Sequence, residues 1–168
     1  MPASPVSGTI QSMLTNLEKD IRKNLKHNVT ANLTDGGLFG MALGFASFST
    51  ILPLFVATMT DSALLIGLVP AIHSAGWLFP QLFTASHVSR LRQYKPTVLM
   101  MTIHERIPFF GLAMVALFIP HIGVAAGLAL AFIMLIWQGL GGGFTANAWT
   151  SMISKIIPSD TRGTFFGV

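Results

Sequence analysis

Three consecutive ionisable residues, His104, Glu105 and Arg106, stand near the middle of an otherwise apolar stretch running from Pro96 to Phe118, and His73 stands in another, from Ala63 to Ala85. A charged side chain at mid-bilayer costs about 2.5 to 3.5 kcal/mol on insertion scales, so such residues persist within lipid-length runs only for a reason. One chemistry is a proton or ion relay, in which Glu105 and His73 titrate while Arg106 tunes them or holds an anion. The other is a buried polar clamp that fixes how one span packs on its neighbours. Adjacent helical residues diverge by about 100°, so Glu105 and Arg106 do not make an ideal pair with each other. Each needs a partner elsewhere, and counting from the helix ends puts His73 at nearly their depth, with Thr102 one turn before Arg106.

No other constellation offers chemistry. The chain contains no cysteine, which excludes disulfides, thiolate catalysis and Cys-rich zinc sites. No nucleophile and base set, metal cluster or interfacial carboxylate pair is evident, so neither a catalytic residue, a bound metal nor a cofactor is expected, and an enzyme is not the reading.

The elements that must hold these residues follow from composition. Of 168 residues, 52% are hydrophobic and only 10% charged, against about a quarter charged in a soluble domain. An uncharged run of 33 residues from Ile122 to Ser154 would be roughly 50 Å long as a helix, more than the hydrocarbon core of about 30 Å. The pattern predicts an all-α, polytopic membrane helix bundle with spans over about 38–57, 63–85, 97–118 and 122–150, and a fifth span starting at 164. Pro53 is expected to kink or open the first span, and Pro70 and Pro80 to break the second. Gly36, Gly40 and Gly44 repeat along one side of the first; Gly139 and Gly143 share a face of the fourth and admit close backbone approach.

Residues 1–37 form a separate segment. Met1–Gly8, small and rich in Pro and Ser, is expected to be disordered. From Ile10 the apolar positions Met13, Leu14, Leu17, Ile21 and Leu25 recur at helical spacing among Lys19, Arg22, Lys23 and Lys26. This predicts a basic amphipathic helix over about 10–26, lying either in the headgroup plane or against the inner loops. Of the ten Lys and Arg, four precede the first span, three (Arg90, Arg92, Lys95) lie between spans two and three, and two (Lys155, Arg162) follow span four. The tenth is Arg106, and the two remaining loops carry none. The positive-inside rule therefore puts the N-terminus and the basic loops in the cytoplasm, in the cell membrane. Topology accounts for the net charge of +4, and nucleic acid is not a predicted partner. The acceptor patterns at Asn28 and Asn32 then fall on the cytoplasmic side, where no glycan is added.

A fourth span carrying Gln138, Gly139, Gly141 and Gly143, followed by Pro158 and by Arg162, Gly163 and Gly167 at the start of the next helix, resembles the first half of a major facilitator superfamily transporter. The likeness runs from about Asn28 to Val168. It implies that spans one and four line a central cavity, with Ser47 and Thr50 on span one and Gln138 and Asn147 on span four as candidate solute contacts. Nine residues separate Gln138 from Asn147, about half a turn out of phase, so at most one is expected to face inward, and Gln138 is preferred. The resemblance also makes Arg90, Arg92, Lys95, Arg162 and Gly163 a cytoplasmic loop motif. Leu135 stands where the drug/proton antiporter branch carries an Arg, so drug export by that route is not expected. The implied function is that of the N-terminal, truncated part of a secondary transporter moving a small solute, with or without a coupling ion, once the remaining spans complete it. The competing reading is a small four-helix, non-transporting membrane scaffold or subunit.

Overall fold

A computed structural model describes the backbone of residues 5–167 and the side chains of 11–167. Seven helices follow one another: α1 (Pro5–Lys23), α2 (Leu25–Phe45), α3 (Ile51–Ala57), α4 (Ala63–Val88), α5 (Lys95–Ile122), α6 (Val124–Ile156) and α7 (Ser159–Phe166). The described residues contain no strand, and the fold is all-α. The segment expected to be disordered, Met1–Gly8, lies wholly outside the described side chains, and from Pro5 its backbone is helical.

Three helices, α4, α5 and α6, are long and apolar enough to cross a membrane. Local signals set their limits. Ser62 caps α4, its hydroxyl accepting from the Leu65 amide at 3.5 Å. Pro96 sits in the first turn of α5, where a missing amide proton is not needed. Gly123, at φ +83°, ends α5 and is the only residue between it and α6. That conformation favours glycine, so the reversal falls there and not at 119–121.

The stretch expected to form a single first span is instead two helices. α2 stops at Phe45, residues 46–50 belong to no helix, and α3 begins at Ile51. The opening precedes Pro53, which occupies the third position of α3, where its missing donor costs no ladder bond. Pro70 and Pro80 do not break α4, which runs through both. Around Pro80 side chains tie back to the helix: Gln81 Nε2 donates to the Trp77 carbonyl at 2.7 Å and Thr84 Oγ1 to the Pro80 carbonyl at 3.0 Å.

The chain divides into two compact units, one of Met41–Met152 and one of the residues up to Gly40 with those from Ile153 on. In the first, α6 packs on α4 and α5 through its glycines. A Cβ placed on Gly143 would lie 2.6 Å from the Gly76 carbonyl oxygen and 2.7 Å from that of Trp77, both on α4. One on Gly141 would lie 2.8 Å from the His104 carbonyl oxygen of α5. Gly139 is looser, 3.2 Å from the Gly76 Cα. Around these contacts Leu52 and Val56 of α3 pack with Val69, Leu112, Val115, Ala131 and Leu135 into a core, and a smaller cluster gathers Val88, Tyr94, Val98 and Ala148. Large side chains such as Leu82 (77% exposed) and Phe110 (75%) point away from both. An apolar surface of that extent suits lipid and not water. The glycines of α2 differ from those of α6: nothing lies within 4 Å of a Cβ built on Gly36, Gly40 or Gly44. The expected parallel between the two stripes is not seen in packing.

In the second unit the final carbonyls of α6 are taken by side chains. Arg162 donates through Nε to Ile157 at 2.9 Å and through Nη2 to the Ser154 carbonyl, and Asn28 Nδ2 donates to Ile156 at 3.3 Å. A guanidinium there also meets the negative end of the helix dipole. Arg22 of α1 reaches Glu18 at 3.2 Å and Asp160 of α7 at 3.3 Å.

Two outcomes follow. Gly143→Ala and Gly141→Ala, which push a methyl into backbone, lower the thermal midpoint in detergent by more than Gly139→Ala, the overpacking cost being about 1–3 kcal/mol each. Equal midpoints for all three would contradict the packing. The hydrogen bond from Arg22 holds the Asp160 carboxyl below its ordinary value of 3.8. A depressed carboxylate stabilises above its unfolded value and ceases to do so as pH falls through the folded one, so the α1–α7 contact loosens in acid. Spin labels on α1 and α7 then show a distance distribution that broadens only in acid below the ordinary aspartate range, and Asp160→Asn shows the same broadening at neutral pH.

Candidate solute-binding site

The polar side chains of the first unit converge beside the gap between α2 and α3. His73, halfway along α4, sets Nδ1 3.1 Å from Oε1 of Gln138 on α6. Which of the two donates follows the imidazole tautomer and the orientation of the amide. Phe48, in the gap itself and only 8% exposed, stacks on the imidazole with ring centroids 3.7 Å apart and planes 10° from parallel. Trp77, one turn further along α4, tilts against the same ring at 6.2 Å. Beside them lies an open cavity of about 370 Å³, lined by Leu43, His73, Ser74, Trp77 and Leu78. Its size is that of a pocket for a small organic molecule.

Gln138 is fully buried, and its Nε2 has no hydrogen-bond partner among the described residues. A buried donor left unsatisfied costs about 1–3 kcal/mol, which marks this position as one not optimised for packing alone.

The other solute candidates are placed as follows. Ser47 and Thr50 both lie in the gap; the Ser47 and Ser49 hydroxyls are 3.2 Å apart, and Thr50 precedes α3 without capping it through its side chain. Asn147 donates from Nδ2 to the Gln81 carbonyl at 2.8 Å and to Thr84 Oγ1 at 3.0 Å, so it too contacts α4. Both Gln138 and Asn147 thus contact α4. At about 100° per residue the two flank the Gly139–Gly143 stripe from opposite edges, and both side chains reach across to α4.

Among the intramembrane charges, His73 turns to Gln138. Glu105 is 3% exposed, its Oε1 3.2 Å from the Cβ position of Gly142, a point that also lies 2.6 Å from the Trp77 ring. Trp77 therefore touches the surroundings of both His73 and Glu105. Arg106 is half-buried next to Glu105, and His104 is exposed, its ring 6.2 Å from that of Trp137. Of the basic motif, Arg90 and Arg92 are exposed in the link between α4 and α5, and Lys95 opens α5. Arg162 caps α6 within the other unit, and Gly163 has open space where a Cβ would be. Sequence reasoning missed Phe48 and Trp77, apolar residues without periodic signature, and Asn28, whose value as a cap depends on the distant end of α6. No group of three or more potential metal ligands occurs among the described residues.

No curated protein and no solved structure matches the chain. The sequence model of the Major Facilitator Superfamily, however, matches residues 11–168, which takes in α1 from Gln11 on and all of α2 to α7. With an all-α fold, three membrane-length apolar helices and nearly its whole sequence matched, this chain belongs to the Major Facilitator Superfamily of membrane transporters.

Proposed function

We propose that the chain forms part of a secondary transporter of the cell membrane that moves a small solute by alternating access, with the His73–Gln138 pair at the solute path. The supporting observation is that pair: a hydrogen bond between α4 and α6, covered by Phe48 and set beside the break between α2 and α3. Irregular backbone at membrane depth is tolerated only where protein or a water-filled cavity receives its polar groups. Ser47 and Thr50 lie in that interruption, and they join Gln138 and Asn147 as solute contacts in this reading. The four spans are then the second part of α2 with α3, followed by α4, α5 and α6. Alternating access needs a second bundle to rock against, whichever chain supplies it.

Glu105 and Arg106 take the structural role. The burial of Glu105 where the close-packed glycines of α6 meet α5 and the Trp77 ring favours a clamp over a relay. The N-terminus lies in the cytoplasm, on the evidence of nine of ten basic residues falling on one side of the predicted spans.

Sidedness is checked with reporter fusions: a periplasmic-type reporter is active after Asp61 and His121 and silent after Gln93 and Ser159, and the reverse pattern refutes the orientation. The solute path is checked by thermal shift of the purified chain against a library of small solutes. A ligand at 100 times its Kd stabilises by about 2.7 kcal/mol. That protection is lost in His73→Ala and in Gln138→Leu while the unliganded midpoints stay within a few degrees of the parent. A stabilising solute indifferent to both substitutions refutes the placement.

A further inference from the structure

We infer that α1 is a membrane-surface helix: its aliphatic stripe seats in the bilayer leaflet beside the inner end of α6, and its lysines meet anionic lipid headgroups. The inference is independent of the solute path. At about 100° per residue, Met13, Leu14, Leu17 and Ile21 share an arc of about 100°, while Lys19, Lys23 and Lys26 gather on the opposite side of the helix. An aliphatic face backed by a lysine-rich polar face is the pattern of a helix held at the boundary between headgroups and acyl chains.

The structure leaves that stripe uncovered. Met13 is 66% exposed, Leu14 60% and Leu17 57%. One flank of α1 is tied to α7 through the ion pair of Arg22 with Asp160, whereas Leu14, Leu17 and Ile21 face Ile157 and Pro158 across an open cavity of about 400 Å³. An exposed ion pair of this kind holds little by itself, so it steers the helix without closing the cavity. Contiguous apolar surface left open in this way marks a contact site.

Depth and charge decide what covers it. The 33 residues of α6 measure roughly 50 Å, against about 40–45 Å for a bilayer with its headgroups, so a helix whose outer end sits at one surface brings Ile156 to the other. Asn28 donates to the Ile156 carbonyl and Arg22 to Asp160, and α1 therefore sets out from headgroup level. Lys19, Arg22, Lys23 and Lys26 stand against Glu18 and Asp20, an excess of two positive charges over residues 11–26. A second α1 would bring like charge to like. An anionic phospholipid surface complements it, and its acyl region takes the leucines.

The test uses the absence of cysteine, which makes one introduced cysteine a unique site for a nitroxide. The purified chain, labelled at Leu17→Cys or at Lys19→Cys, is placed in nanodiscs of phosphatidylcholine alone or mixed with phosphatidylglycerol, and relaxation by oxygen, which concentrates in lipid, is compared with that by a water-soluble nickel chelate. Position 17 favours oxygen over nickel at least about twofold more than position 19 does. The preference grows with phosphatidylglycerol and shrinks as salt is added. Lys19→Gln, Lys23→Gln and Lys26→Gln together, read from the label at 17, abolish that dependence on lipid charge while leaving the helix content by circular dichroism unchanged. If position 17 is as open to nickel as position 19 in both bilayers, α1 stands in water and the inference falls. If position 17 is shielded from both agents, protein covers the stripe and the inference falls as well. An oxygen preference equal in the two bilayers overturns the assignment of the lysines to anionic headgroups. Both faces of a nanodisc are open to the chain, so an error in the cellular orientation leaves these outcomes unchanged and shows only in the reporter fusions.

Discussion

The distance between backbones at the glycines of α6 is the constraint on which the rest of the membrane unit depends. Lipid gives helices no hydrophobic incentive to associate, so close van der Waals contact has to supply it. Gly143 and Gly139 bring α6 onto Gly76 of α4, and Gly141 brings it onto the His104–Glu105 backbone of α5. Neighbouring residues of one helix thereby meet two different partners, and α6 is fixed in rotation as well as in distance. That rotation points Gln138 at His73 and Asn147 at the Gln81 carbonyl. The polar contacts are thus consequences of the glycine spacing, and a shift of one residue in that register would separate them.

The same geometry explains how a carboxylate is accommodated inside. Gly142 has no side chain to occupy the space beside the Trp77 ring, and the Glu105 carboxylate comes to that place. Burial of an acid would be expensive in a loosely packed bundle, but here the helices are already held together by contacts that owe nothing to its charge.

Much of this was legible in the sequence because lipid imposes simple rules. A helix that must satisfy its own backbone in hydrocarbon shows itself as an uncharged run of about 20 residues, and α4, α5 and α6 do so. The glycines of α6 were visible as a stripe with a partner to find. What did not show was the rupture after Phe45. Proline drew attention to position 53, whereas the helix parts at the Ser-Phe-Ser-Thr run that precedes it. Hydroxyl residues compete for backbone hydrogen bonds, and a helix entering Pro53 from the N-terminal side loses a donor in addition. Each signal alone is weak. Nor do the glycines of α2 distinguish themselves from those of α6 by spacing; only the neighbours they receive, or lack, set them apart. The pairing of His73 with Gln138 across 65 positions, and the stacking of Phe48, are tertiary facts that no local pattern encodes.

The single-residue link at Gly123 leaves α5 and α6 with almost no slack between their joined ends. Twisting one about its long axis drags the other, and the tight seat of Gly141 on α5 locks them again further along. Those two rods are therefore coupled at both places, whereas α2 and α3 are joined by five unwound residues, and it is side-chain packing, Phe48 on His73 and Leu52 and Val56 in the core, that holds α3 in place.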